Sequence, residues 1–173
     1  IMSPMKTWIG YYTLLNKEMV RILRIWQQTI LPSSLTTILY FLIFGRVIGA
    51  RIGPMDGFQY MTFITPGLIA LAVITNTYSN VVSSFFGMRF TRAIEELFVS
   101  PMSPLTIIAG YITAGVFRGI LVSIGVSLVA LFFGAFQVAH VALAMITILL
   151  CGILFGLAGF LNSMFAKNFD DVA

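Results

Sequence analysis

Residues 119–166 read GILVSIGVSLVALFFGAFQVAHVALAMITILLCGILFGLAGFLNSMFA, 48 positions between Arg118 and Lys167 without a charged side chain. The run is broken only by Gly134-Ala135-Phe136-Gln137-Val138-Ala139-His140, which divides it into two apolar halves. A helix needs ~20 mainly apolar residues to cross a ~30 Å hydrocarbon core. This stretch therefore holds two crossings joined by a short turn. Lipid offers the backbone no hydrogen-bond partner, so both crossings must be helices. The alternating ~10-residue segments of a membrane barrel are not seen.

The same signature extends outward along the chain. Arg24 and Arg46 enclose 21 uncharged residues, Asp56 and Arg89 enclose 32, and Glu96 and Arg118 enclose 21. Hydrophobic residues make up 59% of the 173 and charged ones only 9%, against about 25% charged in a soluble domain. That balance excludes a soluble globular domain, a disordered tail and a nucleic-acid module. The reading is all-α: a polytopic membrane domain over 1–173, with four transmembrane helices at 29–44, 58–86, 119–136 and 141–165. An amphipathic interfacial helix at 5–28 precedes them, and 87–118 forms a cytoplasmic hairpin and helix lead-in. From Leu105 to Phe136 is 32 residues, or ~48 Å of helix at 1.5 Å per residue. The crossing is therefore placed at its outer end, with Arg118 near the inner boundary, its head snorkelling to water.

An even number of spans puts both ends on one face. With the amino terminus cytoplasmic, Lys6, Lys17, Arg21, Arg24, Arg89, Arg92 and Lys167 lie inside, and only Arg46 and Arg51 lie outside. The excess of basic residues on cytoplasmic loops selects this orientation.

Between Met5 and Gln28, Met5, Trp8, Ile9, Tyr12, Leu15, Met19, Ile22, Leu23 and Trp26 recur at steps of three and four. Lys6, Lys17, Arg21 and Arg24 lie around the other side. Trp8 and Trp26 with Lys17, Arg21 and Arg24 describe a helix in the inner interface, in contact with membrane lipid. It serves as an anchor, as a contact for a cytoplasmic partner, or as both. In the loop after span two, Phe90, Ile94, Leu97 and Phe98 share one side of a short helix. Arg89, Arg92, Glu95 and Glu96 share the other, with Arg92 spaced to pair with Glu95 or Glu96. Ser100-Pro101 ends this helix, and Ser103-Pro104 caps the next.

Span two carries Thr65, Asn76, Asn80 and Ser83 at helical intervals, either a packing face or the lining of a substrate route. Gly115, Gly119, Ser123 and Ser127 on span three, and Gly152 and Gly156 on span four, form small-residue stripes that admit a neighbouring backbone. The sequence contains no Gly-x-x-x-x-Gly-Lys-Ser/Thr loop. No catalytic residue and no metal ligand is nominated: His140 and Cys151 stand alone, and the six carboxylates are scattered.

Several of these elements together resemble the ABC-2 type permeases. They are the basic leading helix, Leu31-Pro32, Leu39-Tyr40-Phe41-Leu42-Ile43-Phe44-Gly45 and Ile64-Thr65-Pro66-Gly67-Leu68. To these are added Ile94-Glu95-Glu96-Leu97-Phe98-Val99-Ser100-Pro101 and Asn162-Ser163-Met164-Phe165-Ala166-Lys167-Asn168-Phe169-Asp170-Asp171. The resemblance covers essentially the whole chain, and the Glu-Glu-Leu…Ser-Pro element is its most specific part. It implies the membrane-spanning subunit of an exporter in a bacterial inner membrane, usually a homodimer. A separate ATP-binding cassette subunit would supply the energy, with ATP and Mg bound there and no cofactor on this chain. Arg89, Arg92, Glu95, Glu96 and Phe98 are the positions it implies for contact with that ATPase. The family pattern has six spans, so the four here are expected to lack the last two. A membrane scaffold that recruits a cytoplasmic partner without transport is the alternative from another class.

Overall fold

The computed structural model describes residues 4–49, 57–100, 102–135, 140–168 and 171. All regular elements among them are helical. They are α1 (Pro4–Arg24), α2 (Trp26–Tyr40) continued by a π-helical segment (Phe41–Ile48), α3 (Tyr60–Phe90), α4 (Ile94–Val99), α5 (Pro104–Phe132) and α6 (Val141–Phe165). Four helices are long and apolar enough to cross a membrane: Trp26–Gly45, Tyr60–Phe90, Pro104–Phe132 and Val141–Phe165. Arg51, Asp56 and Phe136, and the side chains of Met5, Lys6 and Arg46, lie outside the described residues.

The boundaries differ from the sequence expectation where local chemistry intervenes. The leading helix stops at Arg24, because Ile25 leaves the helical region (φ −104°, ψ 25°). Trp26 therefore opens the first span, which begins three residues before 29 and stays helical beyond 44. Pro32 sits inside that helix. The second crossing runs to Phe90, four residues past 86, and Thr91 ends it. The third crossing and its lead-in form one helix from Pro104. Ser103 caps it by accepting from the Thr106 N–H, with proline at the first position. It ends at Phe132 rather than 136, because Gly134 turns into the left-handed region (φ +66°). The Gly134 and Ala135 N–H groups then bond back to the Leu131 and Ala130 carbonyls, a helix stop that suits glycine.

Packing centres on α3 and α5, which run antiparallel in contact, with α6 against both and α1 and α2 along α5. Small residues set the approach. A Cβ added at Gly115 would fall 2.7 Å from Val81 Cγ2, and one at Gly119 would meet Thr77 and Val73. Gly152 and Gly156 face Val116 and Ile112, and Gly159 faces the Tyr78 carbonyl. Toward the α4 end of the bundle, Phe85 stacks edge-on to Tyr111 at 5.5 Å and against Phe160 at 4.4 Å, joining the same three helices.

Helix α1 is part of this bundle. Leu14, Glu18 and Ile22, one ladder at steps of four, are buried. Leu14 fits over Gly110, and the Tyr11 hydroxyl donates to Thr113 Oγ1 at 3.1 Å. The expected single apolar stripe is thus divided. Trp8, Ile9, Tyr12, Leu23 and Trp26 face outward, while a ladder containing a carboxylate faces in.

Substitution Gly115→Val should overfill the α3–α5 seam and destabilise the protein by roughly 1–3 kcal/mol. Gly87→Ala, where nothing lies within 4 Å of the added carbon, should not. Melting temperatures of the two variants in one detergent check the contrast.

Candidate functional site

The loop between the second and third crossings is built from both of its ends. After α3, Arg92 takes a left-handed conformation (φ +60°), a costly geometry for a residue with a side chain. That turn folds α4 back under the bundle. Leu97 is buried beside Phe85, Ile107 and Tyr111, anchoring the short helix. Ser100, extended (ψ 146°) as the residue before a proline must be, ends it. What remains outside is a compact surface. Phe98 is 69% and Val99 87% exposed, with Arg92, Glu95 and Glu96 also exposed. Among the described residues neither carboxylate pairs with Arg92. The one ion pair found is between Arg21 and Glu18, so the anticipated loop pairing gives way to two free carboxylates.

Arg89 separates from this group. Its Nη1 donates to the carbonyls of Ser163, Met164 (2.8 Å) and Ala166 (3.4 Å). A cation belongs at a helix C-terminus, where unpaired carbonyls concentrate negative charge. Arg89 therefore ties the C-terminal end of α3 to the last turn of α6 and faces into the bundle, unlike the other four candidates. Just beyond, Asp171 accepts from the Lys167 and Asn168 N–H groups at 2.9 and 3.2 Å. These bonds hold its carboxyl below the ordinary carboxylate range.

On α1, Trp8, Lys17, Arg24 and, at the start of α2, Trp26 are exposed. A groove of about 460 Å³ separates α1 from α4, lined by Ile9, Thr13, Lys17, Glu96, Leu97 and Met102. Lys17 and Glu96 face it from opposite walls. Arg21 turns the other way, into the bundle.

The four polar positions of the second crossing meet different surroundings along its length. Thr65 is buried and donates to the Met61 carbonyl of its own helix at 2.7 Å. Asn76 donates to Ser33 Oγ of α2 at 3.0 Å, beside a groove containing Thr36, Thr37, Tyr40 and Thr75. Ser83 is exposed. Asn80, 1% exposed, receives Arg21 Nη2 at 3.0 Å and Arg118 Nη1 at 3.3 Å on the same Oδ1. Arg118 is half-buried, with its Nη1 on Asn80. Glu18, also 1% exposed, pairs with Arg21 at 2.8 Å and accepts from Ser84 Oγ at 2.8 Å.

Glu18 and Ser84 were missed by the sequence reading. The signal was a lone carboxylate four residues from both Leu14 and Ile22, on an apolar ladder.

These features define a helical bundle, long and apolar enough to cross a membrane, with an exposed acidic–aromatic helix between two of its long helices. Residues 10–173 match the family described as ABC-2 type transporter. The chain belongs to that family. It is 52% identical over 166 residues to the inner membrane transport permease YadH of Escherichia coli (strain K12), covering 96% of this chain and 65% of the relative. It is 23% identical over 150 residues to nodulation protein J of Rhizobium leguminosarum bv. viciae, covering 84% of this chain and 58% of that one. The chain thus spans about two thirds or less of the length of these curated relatives. No solved structure matches. Among its described residues the chain holds four helices long and apolar enough to cross a membrane, with the loop helix α4 between the middle two.

Removing the carboxylate of Glu18 leaves Arg21 without its counter-charge. Glu18→Ala should therefore destabilise the fold by on the order of 2 kcal/mol, less than a fully buried pair would, because Arg21 is 34% exposed. The double variant with Arg21→Ala should recover part of the loss, as a thermal-melt cycle on the four proteins would show.

Proposed function

We propose that this chain is the membrane-spanning permease subunit of an ATP-binding cassette exporter in a bacterial inner membrane. In this reading the helices supply the translocation pathway, the amino terminus is cytoplasmic, and two copies assemble as a homodimer. A separate ATPase subunit, holding ATP and Mg, drives alternation between conformations. The name of the E. coli relative, an inner membrane transport permease, supports the class and the membrane.

The observation that carries the reading is α4. Six residues between two full-length crossings are anchored through Leu97 and offer Phe98, Val99, Glu95 and Glu96 outward. An exposed aromatic ringed by charge is the composition of a protein-binding hot spot. Arg92 at the bend and the Lys17–Glu96 groove extend that surface toward α1. Because α4 is continuous in packing with Phe85, Ile107 and Tyr111, a push on it reaches α3 and α5 directly. The α2–α3 groove of Ser33, Thr36, Thr37, Tyr40 and Thr75 is the hydroxyl-bearing surface within the crossings. It is our candidate for part of the substrate route, with Asn76 at its edge.

Purified full-length permease should retain a cassette ATPase through detergent extraction. Reversing both charges, Glu95→Lys with Glu96→Lys, should weaken that retention roughly tenfold, equivalent to about 1.4 kcal/mol. Phe98→Ala should weaken it in the same direction. Unchanged co-purification would remove the docking role of α4. Nucleotide-dependent flux in vesicles carrying both subunits tests transport itself, and its absence would favour a scaffold.

A further inference from the structure

The cluster where α1, α3 and α5 meet does not balance its charge. Glu18 contributes one negative charge against the positive charges of Arg21 and Arg118, and its Oε2 already accepts from Arg21 and Ser84. The other described carboxylates are elsewhere: Glu95 and Glu96 exposed on α4, Asp171 beyond α6. Both guanidiniums lean on the single Oδ1 of Asn80. That double acceptance fixes the amide orientation, because the opposite one would turn its N–H₂ toward two cations. It also leaves Asn80 Nδ2, Arg21 Nε and Arg118 Nε buried without a partner. Among the described residues the cluster thus holds three unpartnered donors and one surplus positive charge, with the Thr77 hydroxyl as its one unpartnered group able to accept. Water could accept some of those hydrogen bonds, but it cannot neutralise the charge.

We propose that this cluster binds a phosphate-bearing anion at the inner boundary of the bilayer, gripped by Arg21 and Arg118. Phosphate oxygens suit the guanidinium fork, which offers paired N–H donors at matching spacing. The depth is right for a phospholipid headgroup. Asn80 lies 20 residues after Tyr60 at the outer end of α3, ~30 Å at 1.5 Å per residue, equal to the hydrocarbon thickness. Access exists as well, since the Arg21 side chain is 34% exposed and Arg118 is only half-buried. Basic pockets between membrane helices on the cytoplasmic side bind anionic headgroups by this chemistry. Free phosphate from the cytosol would satisfy the same donors. The site concerns what the bundle binds at rest and stands apart from the ATPase contact proposed above.

Native mass spectrometry of the full-length permease from mild detergent reads the site without any transport assay. Wild-type protein is expected to retain one more phosphatidylglycerol per protomer than Arg118→Gln. Lys167→Gln, which removes an equal charge from an exposed position, should match wild type. Equal retention by wild type and Arg118→Gln, or an equal loss in Lys167→Gln, would overturn the lipid assignment. Asn80→Asp supplies the missing negative charge internally. It should release the lipid while raising the melting temperature, and retention at the wild-type level would count against the proposal. In the second arm, inorganic phosphate is titrated into delipidated protein. A rise in melting temperature for wild type that Arg118→Gln lacks would assign the site to free phosphate. No lipid difference together with no phosphate response would overturn the proposal entirely.

Discussion

In hydrocarbon, apolar side chains gain nothing by leaving lipid for one another, so helices associate through close contact and hydrogen bonds. The α3–α5 seam meets that condition. Gly115 and Gly119 remove the side-chain layer opposite Thr77, Val81 and Val73, and the two backbones approach closely. Other contacts follow from this one. With α3 and α5 fixed, α6 finds Ile112 and Val116 beneath Gly152 and Gly156, Phe85 falls between Tyr111 and Phe160, and Leu14 finds Gly110 open to it.

Polar groups then specify what close packing alone would leave free to slide. Asn76 joins α3 to α2 through Ser33, and Asn162 joins α6 to α3 through the Tyr78 hydroxyl at 2.6 Å. Asn80 joins α3 to both α1 and α5. Such bonds are individually modest, but each is satisfied in one register only. The charged members meet in one cluster, where Asn80 receives both Arg21 and Arg118.

Much of this architecture was legible in the residues. Gaps between charges located four crossings because the bilayer imposes a minimum length on any uncharged helix. The Ser103-Pro104 start, the glycine stripes and the exposed acidic loop helix were visible because each depends on neighbours within a few positions. Helix ends were less legible. Whether α1 stops at Arg24 or at Gln28 is decided by the bend at Ile25, which has no strong breaker in its sequence. The bond between Arg118 and Asn80 was equally hidden, because its two residues are 38 positions apart. The inward turn of Glu18 and the capping role of Arg89 were hidden for the same reason, since both depend on contacts between distant helices. Arg89, chosen for its charge in a cytoplasmic loop, is held by carbonyls more than seventy residues further along.

That clasp has a mechanical consequence. One guanidinium on the last turn of α3 grips the final carbonyls of α6, so the adjoining tips of these two rods cannot part without losing it. Any displacement of the Arg92 elbow would therefore be shared by both rods rather than dissipated in a loose loop. At that end of the bundle, the second and fourth crossings are yoked as a pair.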